Sequence, residues 1–232
     1  MDQLIAIPEI LYEDNHLIAI NKKPGEISQG DKTNDIPLVE IVRTYIKNKY
    51  QKPGNVYTGL IHRIDRPVSG VLLFAKTEKA NERMSKLIRE RAFQKTYWAV
   101  VKNKPQPESG ELIHFLTKNQ HLNKSFASQN PKPNSKEARL KYQLIASIHR
   151  YQLLEILPET GRHHQIRVQL STIGSTIKGD IKYGFDRTNE NGSIHLHARE
   201  VSCVHPVKNT PVKIIAPPPH DAIWDAFMEI LQ

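Results

Sequence analysis

Short apolar runs separated by polar turns dominate the first part of the chain. Residues 9 to 12 and 16 to 22 form two such runs, split by three polar residues, and this spacing predicts a β-hairpin. A Pro-Gly turn is predicted within residues 23 to 25. From Pro37 onward the apolar residues recur every three to four positions, which predicts a helix, and a polar loop follows at residues 51 to 58.

The next segments combine a buried strand with a cationic helix. The apolar run at residues 71 to 75 predicts a strand that is buried on both faces. Thr77 can cap a helix whose apolar positions extend to Ile88. The opposite face of that helix carries Lys and Arg residues between positions 79 and 91, and we interpret it as a solvated surface. Residues 95 to 101 are aromatic and β-branched, as in a strand.

The second half of the chain is richer in strands than in helices. Strand-like residues 111 to 116 and 137 to 146 flank a polar segment, 117 to 136, which we interpret as a long mobile loop within a hairpin. The remaining predicted elements are strands at 151 to 157, 194 to 204 and 211 to 215, a short helix after Gly161 that stops at Gly174, and a last helix capped by Asp221. The order lacks βαβα alternation, so we expect an α+β fold with a mixed, mostly antiparallel sheet, and a single domain over residues 1 to 232.

Charge and cysteine content narrow the class of protein. The formal net charge of +9 favours a polyanionic partner, either nucleic acid or an anionic membrane surface, although an ordinary basic enzyme remains an alternative. No apolar run approaches the length of a membrane span, and the N-terminal residues lack the pattern of a signal peptide. Cys203 is the single cysteine, which suits a reducing compartment. We therefore expect a cytoplasmic protein without a membrane-spanning segment.

The segment from His62 to Gly70 places a carboxylate, Asp65, between Arg63 and Arg66 in a turn before the buried strand. Nearby cations keep a carboxylate ionised, and a rigid turn holds it in position. These are the two requirements of a carboxylate nucleophile. The alternative is a structural aspartate that caps the turn and pairs with an arginine.

Two further segments carry candidate binding residues. Residues 161 to 167 place Arg162 and Arg167 at the start of a short helix, which suits a phosphate or a buried carboxylate, although a surface cluster without a ligand would look the same. In the strand at 95 to 101, Lys95 and Tyr97 could bind RNA by charge and stacking. The alternative for that segment is an ordinary core strand.

Other chemistry is poorly supported by the sequence. His195, His197, Cys203 and His205 could approach one another on strands, but no second cysteine supports a zinc site, and we expect no metal. We also expect the adjacent side chains of His163 and His164 to point apart. Glycine-rich phosphate loops and nucleophile elbows are absent from the sequence, which weakens nucleotide-hydrolysing and esterase hypotheses.

Together, these segments resemble the RluA family of RNA pseudouridine synthases. Four patterns of that family are matched in order, at residues 20 to 25, 62 to 76, 95 to 101 and 161 to 167. Two later segments, around Gly179-Asp180 and around His197 to Pro206, are also similar. The chain departs from the family at Val68, where threonine is usual, and at Gln169, where histidine is common.

The resemblance implies a pseudouridine synthase fold with a central catalytic cleft flanked by helices and loops, working without a cofactor or metal. It implies that Asp65 is the nucleophile, that Arg167 pairs with it, and that Tyr97 stacks on the uracil. The implied RNA contacts are His62, Arg63, Lys95, Arg162, His164 and Gln165. We expect no N-terminal S4 domain.

The implied substrate is a structured ribosomal or transfer RNA whose target base is flipped out. We expect a monomer that binds RNA and neither a membrane nor an obligate protein partner. Target choice is expected to reside in the loop at 117 to 136 and in the basic helix face at 79 to 91. Two alternatives come from other classes. One is a non-catalytic RNA-binding protein descended from a synthase. The other is a nucleoside glycosidase, which would need a second catalytic carboxylate near Asp65.

Overall fold

A computed structural model describes residues 7 to 30 and 33 to 231. The strands, in chain order, are β1 (Ile10–Glu13), β2 (Leu17–Lys22), β3 (Gly59–Leu60), β4 (Ser69–Ala75), β5 (Gln94–Val101), β6 (Ser109–Asn119), β7 (Lys124–Ser128), β8 (Lys136–Ile148), β9 (Tyr151–Pro158), β10 (Leu196–Val204) and β11 (Pro211–Ile215). The helices are α1 (Leu38–Lys49), α2 (Glu78–Arg89), α3 (Gln165–Thr172) and α4 (Ala222–Ile230), with one 3-10 turn at Ile181–Tyr183.

The chain forms two compact units. The first unit consists of Met1–Phe93 and Ala198–Pro217, and the second consists of Gln94–His197 and Pro218–Gln232. Each unit contains antiparallel strand pairs together with helices. The expected α+β class with mostly antiparallel strands is therefore confirmed.

The first unit is built on the hairpin predicted at its start. Strand β2 pairs antiparallel with β1 on one side and with β4 on the other, and β10 lies beside β4. All seven residues of β4 are buried, as its unbroken apolar sequence predicts. The core lies where these strands meet α2, whose Met84 is fully buried.

The two helices of the first unit follow the predicted periodicity. Helix α1 begins after Pro37 and buries Leu38, Val42 and Ile46. Helix α2 is capped by Thr77, whose hydroxyl accepts a hydrogen bond from the Ala80 amide at 3.2 Å. One position differs from the prediction: Ile88 lies near the end of α2 and is exposed, because the strands pack against the earlier turns of the helix.

The second unit contains five antiparallel strands in the order β5-β9-β8-β6-β7. Helix α4 packs Trp224 and Phe227 against Trp98 and Leu153 of these strands. Asp221 caps α4, as predicted, by accepting the amides of Ile223 and Trp224, each at 2.9 Å. Helix α3 packs near β6 and β7 through a smaller cluster of buried residues, Leu116, Ala138, Val168 and Tyr183.

One predicted element is wrong. Residues 117 to 136 do not form a long loop: β6 continues to Asn119, and β7 turns back to pair with it, Thr117 opposite Phe126. A tight turn at Lys132–Ser135 then leads into β8. The segment contains few large apolar residues because its outer face is exposed, and this composition resembles that of a loop. Within the described part of the chain, no helix has both the length and the apolar character needed to cross a membrane.

Candidate active site

The predicted nucleophile, Asp65, lies in a turn between β3 and β4 of the first unit. Its carbonyl oxygen accepts a hydrogen bond from the Val68 amide at 3.0 Å, which closes the turn around Pro67. The preceding carbonyl, of Ile64, accepts from the buried Ser28 hydroxyl at 3.1 Å. The carboxylate is thus carried by a backbone that is fixed on both sides, while the residue itself stays partly accessible.

A buried lysine holds this turn from within the same unit. Lys22 Nζ donates to the carbonyl oxygens of Lys23 at 3.0 Å, Arg66 at 3.1 Å and Val68 at 2.6 Å. Three carbonyl acceptors match the three N–H donors of an ammonium group. Burial lowers the pKa of Lys22 to about 7, while the carboxylates of Glu26 and Asp65 act in the opposite direction. The sequence contains Lys22 in a segment that resembles the family, but its burial became evident only in the fold.

The neighbours of Asp65 have separate roles. Arg66 pairs with Asp35 at 2.7 Å and with the Thr33 hydroxyl at 2.7 Å. His62 Nε2 accepts the Leu73 amide of β4 at 3.3 Å, and its ring lies against Phe93, so this imidazole supports the strand. Arg63 is exposed to solvent. Of the predicted RNA contacts in the first unit, Arg63 is therefore the more accessible one.

The second residue of strand β4, Gly70, occupies a position that suits only glycine. Gly70 has φ +116°, a backbone conformation that side chains rarely adopt. A Cβ atom there would stand 2.2 Å from the carbonyl oxygen of Ala198 in β10. The close approach of the two backbones therefore fixes where the Asp65 turn joins the sheet of the first unit.

The second unit contains the aromatic strand and the arginine-rich helix start. Tyr97 lies in β5 opposite Ile156 of β9 and is 8% exposed. Lys95 is half-buried, and burial lowers its pKa. A Cβ atom on Gly161 would stand 3.6 Å from Lys95 Nζ, so the structure brings Lys95 together with the 161 to 167 segment.

Gln165 organises the turn that precedes α3. Its Oε1 accepts from the Thr160 hydroxyl at 2.7 Å and from the Arg162 amide at 3.0 Å, and its Nε2 donates to the Arg139 carbonyl at 2.9 Å. The Arg162 side chain is exposed and donates through Nε to the Glu137 carbonyl at 2.9 Å. Gln165 is thus a structural residue of this turn, whereas the Arg162 guanidinium lies at the surface.

The two adjacent histidines stack, contrary to our expectation. The His163 and His164 ring centroids are 3.8 Å apart with an interplanar angle of 21°. The reason is that His164 adopts a left-handed backbone, φ +53°, immediately before α3. Tyr183 lies beside this pair, since its hydroxyl accepts the Ser125 amide and lies 2.9 Å from His164 Nδ1.

Arg167 is held by a carboxylate that sequence reasoning missed. Its Nε and Nη2 donate to the two oxygens of Asp180, at 2.7 and 2.8 Å, and both side chains are almost fully buried. This fork uses two of the five N–H donors of the guanidinium. Asp180 occurs in a segment that resembles the family, and that was its only signal in the sequence. The pairing of Arg167 with Asp65 joins residues of different units and stays a prediction.

The histidines considered for zinc have other partners. His195 Nε2 lies 3.0 Å from Asp221, and its ring stacks on Trp224. His205 Nε2 lies 2.9 Å from Asp14, while its Nδ1 accepts amides of the following turn. Among residues 7 to 30 and 33 to 231, no three His, Cys, Asp or Glu side chains are grouped as metal ligands.

This chain shares its fold with a solved protein and its family with a described group of enzymes. The fold is shared with a solved human protein, RNA Pseudouridylate Synthase Domain Containing 4, with a TM-score of 0.77 and 23% identity, over 94% of this chain and 92% of that one. Residues 16 to 172 match the family described as RNA pseudouridylate synthase. The chain belongs to this family.

Two curated relatives extend the comparison beyond the matched region. The chain is 33% identical to the tRNA pseudouridine synthase C of Pectobacterium carotovorum, over 94% of the chain and 59% of that protein. It is also 33% identical to the ribosomal large subunit pseudouridine synthase C of Vibrio vulnificus, over 90% of the chain and 65% of that protein. The chain thus spans about three fifths to two thirds of the length of these relatives.

Proposed function

We propose that this protein isomerises specific uridines to pseudouridine in ribosomal or transfer RNA. The observation that carries the proposal is the Asp65 turn: a partly accessible carboxylate on a backbone fixed by Lys22, within the family match at residues 16 to 172. The names of the curated relatives and the net charge of +9 support an RNA substrate.

In the proposed reaction, the glycosidic bond between C1′ and N1 breaks, the uracil turns, and a C1′–C5 bond replaces it. Asp65 starts the cleavage, either by attack at C1′ or by removal of the 2′ proton. The proton on C5 is then removed and N1 gains one, so the product is an isomer of the substrate. The target base is flipped out of the RNA to reach this carboxylate, with Arg63 holding the displaced nucleotide.

We assign supporting roles to two residues of the second unit. Arg167 keeps Asp65 ionised and aligned, because an adjacent guanidinium favours the charged carboxylate. Tyr97 stacks on the uracil and mediates removal of the C5 proton. Lys95, Arg162 and His164 are proposed to contact the RNA, together with His62 and Gln165, whose observed hydrogen bonds are structural.

The setting of this activity is also a proposal. We place the protein in the cytoplasm, because a single cysteine, Cys203, forms no disulfide within the chain, and such cysteine usage suits a reducing compartment. We propose that it acts as a monomer on a structured RNA and that residues 1 to 232 form one catalytic domain.

The decisive experiment is pseudouridine mapping of ribosomal and transfer RNA. RNA from a strain lacking the gene is incubated with the wild type, with Asp65→Asn and with Asp186→Asn, a control on an exposed ion pair. We expect a new pseudouridine with the wild type and the control and none with Asp65→Asn. If Asp65→Asn retained turnover, Asp65 would not be the nucleophile. A folded wild type that binds RNA without forming pseudouridine would indicate the RNA-binding alternative.

A further inference from the structure

The β6–β7 hairpin displays a half-exposed aromatic ring on a strongly basic segment. Phe126 of β7 is 48% exposed, although aromatic side chains are usually buried. The segment from residue 117 to residue 136 contains four lysines and no acidic residue. An exposed ring surrounded by cations is how proteins bind single-stranded nucleic acid, because the ring stacks on a base and the cations neutralise phosphates.

A groove of about 420 Å³ opens beside this ring. Its walls include Lys118 and Asn119 of β6, Phe126 of β7, and Lys132 and Pro133 of the turn before β8. Volumes of this order are typical of sites for small ligands. The groove therefore offers an aromatic surface, the amide of Asn119 and the ammonium group of Lys132 in one place. Lys118 pairs with Ser125 in the β6–β7 register, so its side chain lies on the other face of the hairpin from Phe126.

The groove is held in shape by hydrogen bonds. Within the turn before β8, the Lys132 amide donates to the Ser135 hydroxyl at 2.8 Å, and the Ser135 amide donates to the Lys132 carbonyl at 3.0 Å. On the inner face of β7, the Ser125 amide donates to the Tyr183 hydroxyl at 2.9 Å. A preformed surface loses less conformational entropy when a ligand binds.

Contacts between cations and rings connect Phe126 to the candidate active site of the same unit. Lys124 Nζ lies 5.8 Å from the Phe126 centroid and 5.2 Å from the Tyr183 centroid. The Arg167 guanidinium carbon lies 5.2 Å from the same Tyr183 ring. Such distances allow a favourable interaction of each cation with its ring. The exposed ring is therefore joined to Arg167 through two intervening side chains.

A second groove in the same unit provides a contrast. It has a volume of about 360 Å³ and lies along β6, β8 and β9, where Leu157 is 44% exposed. Its walls contain Glu111 and Glu155 with a single lysine, Lys141. Two carboxylates repel a phosphate backbone, so this groove is not suited to RNA. Leu157 therefore serves as a control position for substitutions of the exposed Phe126.

We propose that an unpaired base of the RNA, other than the target uridine, stacks on Phe126, with a neighbouring phosphate on Lys132. This proposal rests on the proposed function, which makes RNA the partner. It assigns the hairpin a preference for unpaired RNA, because a base within a duplex is already stacked on its neighbours and cannot cover the ring.

The test compares two RNA probes of equal length: a stem-loop with 2-aminopurine and no uridine in its loop, and a fully paired duplex. Neither probe contains an unpaired uridine that could be isomerised, so binding is measured apart from turnover. We expect the wild type to bind the stem-loop tighter and to quench its fluorescence. Phe126→Ala should weaken stem-loop binding about tenfold and leave duplex binding unchanged, since one base–ring stack is lost.

Two controls separate stacking from loss of structure. Phe126→Trp should restore stem-loop binding, because it keeps an aromatic surface, and Leu157→Ala should behave as the wild type. Unfolding curves establish that each variant is folded. Equal binding by Phe126→Ala and the wild type would overturn the proposal, as would the absence of any preference for the stem-loop.

The phosphate contact of Lys132 is tested by the salt dependence of binding. Lys132→Ala should reduce the slope of log affinity against log salt by roughly 0.7, as expected for one lost contact to a single-stranded phosphate, whereas Phe126→Ala should leave the slope unchanged. An unchanged slope in the lysine variant would contradict the proposed contact between the lysine and a phosphate.

Pseudouridine formation by Phe126→Ala separates this proposal from the proposed function. We expect a raised KM for RNA with kcat close to that of the wild type, because the ring binds the RNA away from the reacting base. If the wild type formed no pseudouridine, the proposed function would fail while the stem-loop comparison still decided the role of Phe126.

Discussion

At the scale of single residues, Lys22 shows how one side chain shapes the candidate nucleophile turn. It is 1% exposed, which is rare for lysine, and its ammonium group meets three backbone carbonyls. Two of those carbonyls, of Arg66 and Val68, lie within three residues of Asp65. The turn therefore requires a lysine at position 22 for its three N–H donors, and not only for its positive charge.

We expect Lys22→Met to destabilise the protein by about 3 kcal/mol and to reduce kcat, because three carbonyls lose their shared donor inside the protein. Methionine keeps a similar length and flexibility. The matched control is Lys23→Met, since Lys23 is exposed and adjacent. Urea unfolding and pseudouridine formation would be measured for both. Equal stability of the two variants would contradict the structural role given to Lys22.

At the scale of elements, the buried fork of Arg167 and Asp180 joins α3 to the 3-10 turn at Ile181–Tyr183. Burial makes each charge depend on the other, because neither retains water as a partner. The exposed pair of Lys102 and Asp186 has the same chemistry without the burial. The two pairs therefore form an internal comparison.

Asp180→Asn should cost about 3–5 kcal/mol of unfolding free energy, because it removes the charged partner of a bidentate ion pair that is almost fully buried. Asp186→Asn should cost less than about 1 kcal/mol, since exposed ion pairs contribute little. Chemical denaturation of the two variants would give both values. Similar losses in both would mean that burial does not strengthen the dependence of Arg167 on Asp180.

The start of β4 gives a second test at this scale. Gly70→Ala should destabilise the first unit by more than about 3 kcal/mol, because a Cβ atom would stand 2.2 Å from the Ala198 carbonyl oxygen. Gly30→Ala is the control, since nothing lies within 4 Å of a Cβ atom there, and it should change stability by less than about 0.5 kcal/mol. Thermal unfolding would compare them, and a mild effect of Gly70→Ala would show that the two strands can separate.

At the scale of the whole molecule, charge pairing ties distant parts of the chain together within the first unit. Glu13, at the end of β1, accepts from Lys49 at 2.7 Å and from Lys76 at 2.8 Å, which lie at the ends of α1 and β4. Burial alone would raise the pKa of Glu13, but hydrogen bonds from Lys49, Lys76 and Tyr50 lower it to about 2. The ionised form is therefore the one that the folded protein stabilises.

Because the folded pKa of Glu13 is depressed, its contribution is complete above the unfolded value of 4.5 and is lost as pH falls toward 2. We expect the unfolding free energy of the wild type to fall over that pH window. In Glu13→Gln this pH-dependent fall should be smaller by about 3 kcal/mol. Urea unfolding from pH 7 to 2 would measure it. A parallel decline in Glu13→Gln and the wild type would assign acid sensitivity to other carboxylates.

Elements with local signals could be predicted from the amino-acid sequence alone. The alternation and length of apolar runs predicted the first hairpin, the buried strand β4 and helix α1, and the caps Thr77 and Asp221 act as expected. The ordered motifs indicated the family that the comparisons then showed. These features depend on neighbours in the chain, so a single sequence contains them.

Contacts between groups far apart in the chain became evident only in the folded protein. The pairing of Arg167 with Asp180 and the burial of Lys22 depend on a backbone path that residue spacing does not reveal. The stacking of the adjacent His163 and His164 depends on the left-handed backbone of His164, for which the sequence offers no signal. The β6–β7 hairpin was missed for the same reason: its polar sequence looks like a loop, and its strand pairing is stabilised by α3 and Tyr183. Contacts between residues far apart in sequence are set by packing, which periodicity and composition do not encode.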